Sequence, residues 1–86
     1  MKAHTKIYMK HFGYGEQDVI LCEACSRQAV DIHHIKYKSR GGTDDISNLI
    51  ALCRKCHDLA HNEQLSESDL QYIHNSFLAG KRNFLK

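Results

Sequence analysis

The chain has no proline, no internal repeat and no low-complexity tract, and in 86 residues the missing proline constrains little. It also lacks any apolar run long enough for a membrane span or a signal peptide: Met1 to Phe12 carries charged or polar residues throughout. We therefore expect a cytoplasmic protein with no membrane partner. A strong charge imbalance is absent too. The 12 Lys and Arg against 10 Asp and Glu leave a net charge of +2, too slight to argue for nucleic-acid binding by itself.

No composition shift or linker divides the chain, so residues 1–86 are expected to form a single domain. A domain of this size buries only a modest fraction of its surface, and small scaffolds commonly recruit a metal or disulfides to compensate. Four cysteines are present for that purpose. In a reducing compartment paired cysteines are better read as metal ligands than as disulfides.

Ala3, Ile7 and Tyr8 make a weak apolar stripe on a helix expected from about Lys2 to Phe12, ended by Gly13 and Gly15. After Cys22-Glu-Ala-Cys25, the run Ala29 to Ile35 has the β-branched enrichment of a short strand, with His33 and His34 toward its far end. Lys38 to Asp45 is rich in turn formers, and its Gly41-Gly42 pair readily takes positive φ, so this stretch reads as a loop. Asn48 to Leu52 is a brief apolar run leading into Cys53-Arg-Lys-Cys56, followed by helical character from His57 to Asn62. A last helix is expected over about 66–79. Ser66 and Asp69 fit a capped start, Leu70, Ile73, His74, Phe77 and Leu78 form one buried face, and Gly80 is the stop.

The two C-x-x-C pairs, Cys22/Cys25 and Cys53/Cys56, are the ligand set of a closed tetrahedral zinc site that supports structure. Four buried free thiols are the bland alternative, but two independent pairs among only four cysteines are hard to obtain by chance. A mixed site of two cysteines and two histidines, from Cys53, Cys56, His57 and His61, fails on spacing, because it needs about a dozen residues between the cysteine and histidine pairs. The 27 residues between Cys25 and Cys53 exceed the span of a simple zinc ribbon, so something is inserted there.

That insertion contains His33, His34 and Asn48, and His57 and His61 follow the second knuckle. At i and i+4 on a helix, His57 and His61 project from one face and can ligate one ion. The His33-His34 pair can add a third ligand, since neighbouring residues on a strand point different ways and so take different roles. Asp31 is placed to be a hydrogen-bonding partner for a ligating imidazole, or a solvent-facing strand residue. His4, His11 and His74 are assigned to ordinary surface or core positions.

Through His33-His34-Ile35, Gly41-Gly42-Thr43, Asn48-Leu49, Cys53-x-x-Cys56-His57 and His61, the chain resembles the HNH, or ββα-metal (His-Me finger), endonucleases over roughly residues 22–61. It is most similar to the version of the family that adds a four-cysteine zinc, and its histidine pattern resembles the colicin DNases, which lack that zinc. The resemblance implies an α+β fold, a small ββα-metal domain with a four-cysteine zinc knot and flanking helices. It implies His34 as general base and Asn48 as the residue that orients it by hydrogen-bonding across the loop. His33, His57 and His61 are implied as ligands of a catalytic divalent metal. Many members have Asp where this chain has His33. An imidazole set is softer, so Mn2+, Ni2+ and Co2+ are expected beside Mg2+.

The function expected is therefore metal-dependent hydrolysis of DNA phosphodiester bonds, with a homodimer as one route to double-strand cleavage. Lys36, Lys38 and Arg40 would grip the DNA backbone without choosing sequence, while Lys81, Arg82 and Lys86 read as a solvated tail. A non-catalytic zinc-ribbon module that binds nucleic acid, or an RNA-directed nuclease, are the alternatives.

Overall fold

The computed structural model describes residues 2–80; Lys81, Arg82 and Lys86 lie outside them. In chain order the elements are helix α1 (Ala3–Phe12), strand β1 (Asp31–His34), strand β2 (Leu49–Leu52), helix α2 (Arg54–His61) and helix α3 (Glu67–Leu78). Short 3-10 turns occupy Lys38–Arg40 and Ile46–Asn48, between the strands. The fold is the α+β arrangement of a small ββα-metal domain, with helices flanking a two-stranded antiparallel sheet.

The register pairs Asp31 with Leu52, Ile32 with Ala51, His33 with Ile50 and His34 with Leu49. Cross-strand partners share a face and successive residues alternate between faces. Ile50 and Leu52 accordingly join a core cluster with all four cysteines, Ala60, Leu70 and Ile73. Leu49 and Ala51 join a second cluster with Tyr8, Ile32, Phe12 and Tyr14. All four β2 residues are buried, which is why the strand reads as a continuous apolar run rather than an alternating one.

Two elements differ in extent from expectation and a third in its buried face. Regular β1 is shorter than Ala29–Ile35, although Ala29 and Val30 still bond the backbones of Ile20 and Leu52. Helix α2 starts at Arg54 rather than His57, because Cys53 caps it, its Sγ accepting from the Cys56 N–H at 3.5 Å. On α1 the buried residues are Tyr8 and Met9, while Ile7 is exposed, so the weak stripe misplaces the inner face. Helix α3 has the expected capping box of Ser66 and Asp69. It buries Leu70, Ile73 and His74, but Leu78 stays exposed.

One buried network was not visible in the sequence. Glu23, inside the first knuckle and 4% exposed, accepts from the Tyr8 hydroxyl at 2.5 Å and from the Ala51 N–H at 3.4 Å. His74 Nδ1 lies 2.7 Å from its other oxygen, and His74 Nε2 is 2.6 Å from the Ile46 carbonyl. Each buried polar atom thereby finds a partner, as burial requires. Burial and the adjacent Glu23 carboxylate push the Tyr8 hydroxyl far above its ordinary pKa, so it remains a donor.

Candidate metal centre and nucleic-acid site

The first knuckle closes through backbone bonds from Cys22 N–H to the Arg27 carbonyl and from Ser26 N–H to the Cys22 carbonyl, with Ser26 in the left-handed region at φ 67°. The second knuckle is the first turn of α2. Together they bring one sulfur from each of Cys22, Cys25, Cys53 and Cys56 within 4.8 Å of one another. Cys25 and Cys53 Sγ are 3.4 Å apart, close to the edge of about 3.8 Å that a tetrahedron with Zn–S bonds of about 2.3 Å requires. The four thiols thus fit a metal ion such as zinc.

Burial raises the thiols of Cys22 and Cys56 above the ordinary range. Burial also opposes ionisation of Cys53, but the Cys56 N–H and the Cys25 side chain outweigh it and hold that thiol at about 7. Four apolar-packed thiols without a cation would resist ionising together, and a bound cation supplies the missing charge.

A second cluster joins His33 of β1 to His57 and His61 of α2, whose ligand atoms also lie within 4.8 Å of one another. Their ring centroids are 5.4 Å (His33 to His57), 5.8 Å (His33 to His61) and 4.4 Å (His57 to His61) apart. Accessibility is graded: His33 is buried, His57 half-buried and His61 exposed. Burial, with His57 and His61 alongside, lowers the His33 pKa to about 4. At neutral pH that imidazole is unprotonated, the form a metal needs. Asp31 Oδ2 is 3.3 Å from His57 Nε2, a position from which it can steer that ring. A cleft of about 410 Å³ opens beside His33 and His61, with Tyr37 and Arg40 among its lining residues.

His34 goes the other way. Strand alternation turns it from the histidine cluster toward α1, where its ring meets His4 at 4.4 Å between centroids, and its Nε2 lies 2.8 Å from Asp44 Oδ1. Neither His4 nor Asp44 stood out in the sequence. His74, by contrast, is a core residue as expected, with no exposed surface.

Asn48 is buried and makes three hydrogen bonds across the loop. Its Oδ1 accepts from Lys36 N–H at 2.8 Å, and its Nδ2 donates to the carbonyls of Lys36 at 3.1 Å and Thr43 at 2.8 Å. These bonds set the loop that carries Asp44 and leave the His34 ring to other partners. Gly41 takes φ 91°, and a Cβ on Gly42 would collide with the Lys36 carbonyl, so each glycine is required for a different reason. Lys36, Lys38 and Arg40 are all exposed, but Lys38 pairs with Asp44 at 3.4 Å and Arg40 with Glu67 at 3.3 Å.

Among the described residues no helix is long and apolar enough to cross a membrane. Comparison with curated proteins and with solved structures returns no match. A family model does match, that of the HNH endonucleases, over residues 22–63. That segment contains both knuckles, the three clustered histidines, His34 and Asn48, and across it the chain matches the HNH endonuclease domain, which implies a nucleic-acid substrate.

Proposed function

We propose that the protein is a metal-dependent DNA endonuclease. The observation that carries this reading is the divergence of two adjacent histidines: His33 joins His57 and His61 in a cation-competent cluster, while His34 turns away from that cluster toward Asp44 and His4. A hydrolase of phosphodiesters needs both, a cation site and a separate base that works near neutral pH. A divalent cation held by His33, His57 and His61 would, when bound, neutralise charge building on the scissile phosphate and on the leaving oxygen.

His34 takes a proton from water, and the resulting hydroxide oxygen bonds to phosphorus as the bond to the 3′-oxygen breaks in line. The 3′-oxygen leaves with a proton from solvent, and 5′-phosphate ends remain. Asn48 acts on this step only by holding the loop opposite His34. Lys36, Lys38 and Arg40 meet the DNA backbone, for which Lys38 and Arg40 exchange their surface ion pairs for phosphate. A closed knot of the four cysteines holds zinc, and the whole chain works as one domain in the cytoplasm.

The test is plasmid nicking by wild type, His34→Ala and Asn48→Ala with a panel of divalent metals. His34→Ala should nick about 10² to 10⁴ times more slowly while keeping its zinc, its fold and its affinity for DNA. Asn48→Ala should fall between. Wild-type rates from His34→Ala would remove His34 from the role of base. A wild type inactive with every metal would favour a zinc ribbon that only binds nucleic acid, and faster cleavage of RNA than of DNA would reassign the substrate.

A further inference from the structure

His34 has two neighbours that belong to neither the cysteine cluster nor the cluster of His33, His57 and His61. Asp44 contributes the oxygen 2.8 Å from Nε2, and His4 of α1 covers the ring, tilted 53° to it. A carboxylate can only accept, so in this contact Nε2 of His34 is the donor. Asp44 follows Thr43, whose carbonyl is held by Asn48, so its place does not depend on the exposed Lys38 pair that phosphate would draw away. Hydrogen bonding from His34, with Lys38 adding to it, keeps the Asp44 carboxyl below the usual carboxylate range, so it is ionised and accepting at neutral pH.

Ligand atoms of His4, His34 and Asp44 lie within 4.8 Å of one another, as those of the other two clusters do. The spacing nevertheless favours a hydrogen bond over a third ion. Donors around one tetrahedral ion at about 2.1 Å are about 3.4 Å apart. Nε2 and Oδ1 stand at 2.8 Å, the distance of a charge-assisted hydrogen bond.

We propose that Asp44 is the positioning residue for His34: it holds the Nε2 proton, presents Nδ1 to the reacting water, and balances the charge of the ring once that water's proton has moved to Nδ1. His4 forms the wall against which the ring is set. The inference rests on the reading of His34 as the base. In the proton transfer the water O–H bond breaks, its proton bonds to Nδ1, and its electron pair forms the bond to phosphorus. Asp44 takes no proton; it steadies the imidazolium, as carboxylate partners of catalytic histidines do.

The experiment compares the zinc-loaded full chain with Asp44→Asn, His34→Ala and the double variant. Asp44→Asn should lower kcat for plasmid nicking by about 10- to 100-fold, part of the full contribution of the base, with KM and metal content unchanged. Added to His34→Ala it should cost nothing more, because it acts only through that ring. Nitrogen-15 spectra of the imidazoles should show a slowly exchanging proton on His34 Nε2 in the wild type that Asp44→Asn loses. Unchanged kcat in Asp44→Asn, an equal drop in both backgrounds, or loss of one metal ion per chain would each overturn the role of Asp44. A wild type that cleaves nothing overturns the nuclease reading instead, and the imidazole spectrum still reports whether Asp44 holds His34.

Discussion

Cys56 and His57 are neighbours on α2, yet they serve regions that treat solvent in opposite ways. Cys56 turns inward to three other sulfurs packed against Ile50, Leu52 and Ile73. His57 turns outward to His33 and His61, of which the last is exposed. A site closed by four protein ligands has no position left for substrate, whereas three histidines at the edge of a cleft leave room for water and phosphate. One helix thus offers a site suited to hold the fold together and, one residue on, a site suited to exchange ligands.

The sharpest way to break that comparison is to remove a sulfur. Apparent zinc-binding energies of about 10 to 16 kcal/mol exceed the roughly 4 to 13 kcal/mol of net stability expected for a chain of this length. Cys25→Ser or Cys56→Ser should therefore abolish cooperative unfolding in a calorimeter, and metal analysis should lose the tightly held ion. A folded, zinc-free Cys56→Ser protein would show the two regions to be less different than their burial suggests.

Removing a clustered histidine should spare the fold and cost the activity. Changes to groups that merely orient a ligand already cost about 10- to 100-fold, so His57→Ala, which deletes a ligand, should lose roughly 100-fold or more in nicking rate. Its melting transition should stay within about 1 to 2 kcal/mol of wild type, because the ring belongs to neither apolar core cluster. The smallest change is to the ion alone. Brief chelation should stop cleavage reversibly with no change in circular dichroism, and Mn2+, Ni2+ or Co2+ should restore it at least as well as Mg2+. Restoration by Mg2+ alone would mean that the imidazoles do not set metal preference.

Much of this arrangement was legible because its signals are local. The C-x-x-C pairs, the i, i+4 histidines and the Ser66–Asp69 capping box each lie within a few residues, and local geometry fixes their side chains on a common face. The opposed directions of His33 and His34 follow from strand alternation in the same way. Glu23 was not legible, since its partners Tyr8 and His74 are 15 and 51 residues away and no periodicity marks a buried acid. His4 and Asp44 are hidden for a related reason. They matter only because α1 and the loop before β2 both arrive at His34, a meeting set by tertiary packing. The pattern of residues puts the start of α2 too late because cysteine is an unusual helix cap, recruited here by its place in the knuckle.

The carboxylate of Glu23 bears on where the working unit begins and ends. It resides in the stretch matched by the family, but two of its three donors, Tyr8 and His74, come from helices on either side of that stretch. Cut out alone, residues 22–63 would keep every sulfur and His33, His57 and His61, but would lose two of the donors to Glu23 together with the apolar residues that close the two cores, Tyr8 on one side and Leu70 and Ile73 on the other. The motif is therefore not a portable cassette in this chain. The terminal helices are chemically spliced into it, and a graft of the motif onto another scaffold would have to bring a phenol and an imidazole with it, or exchange the acid for something that needs neither.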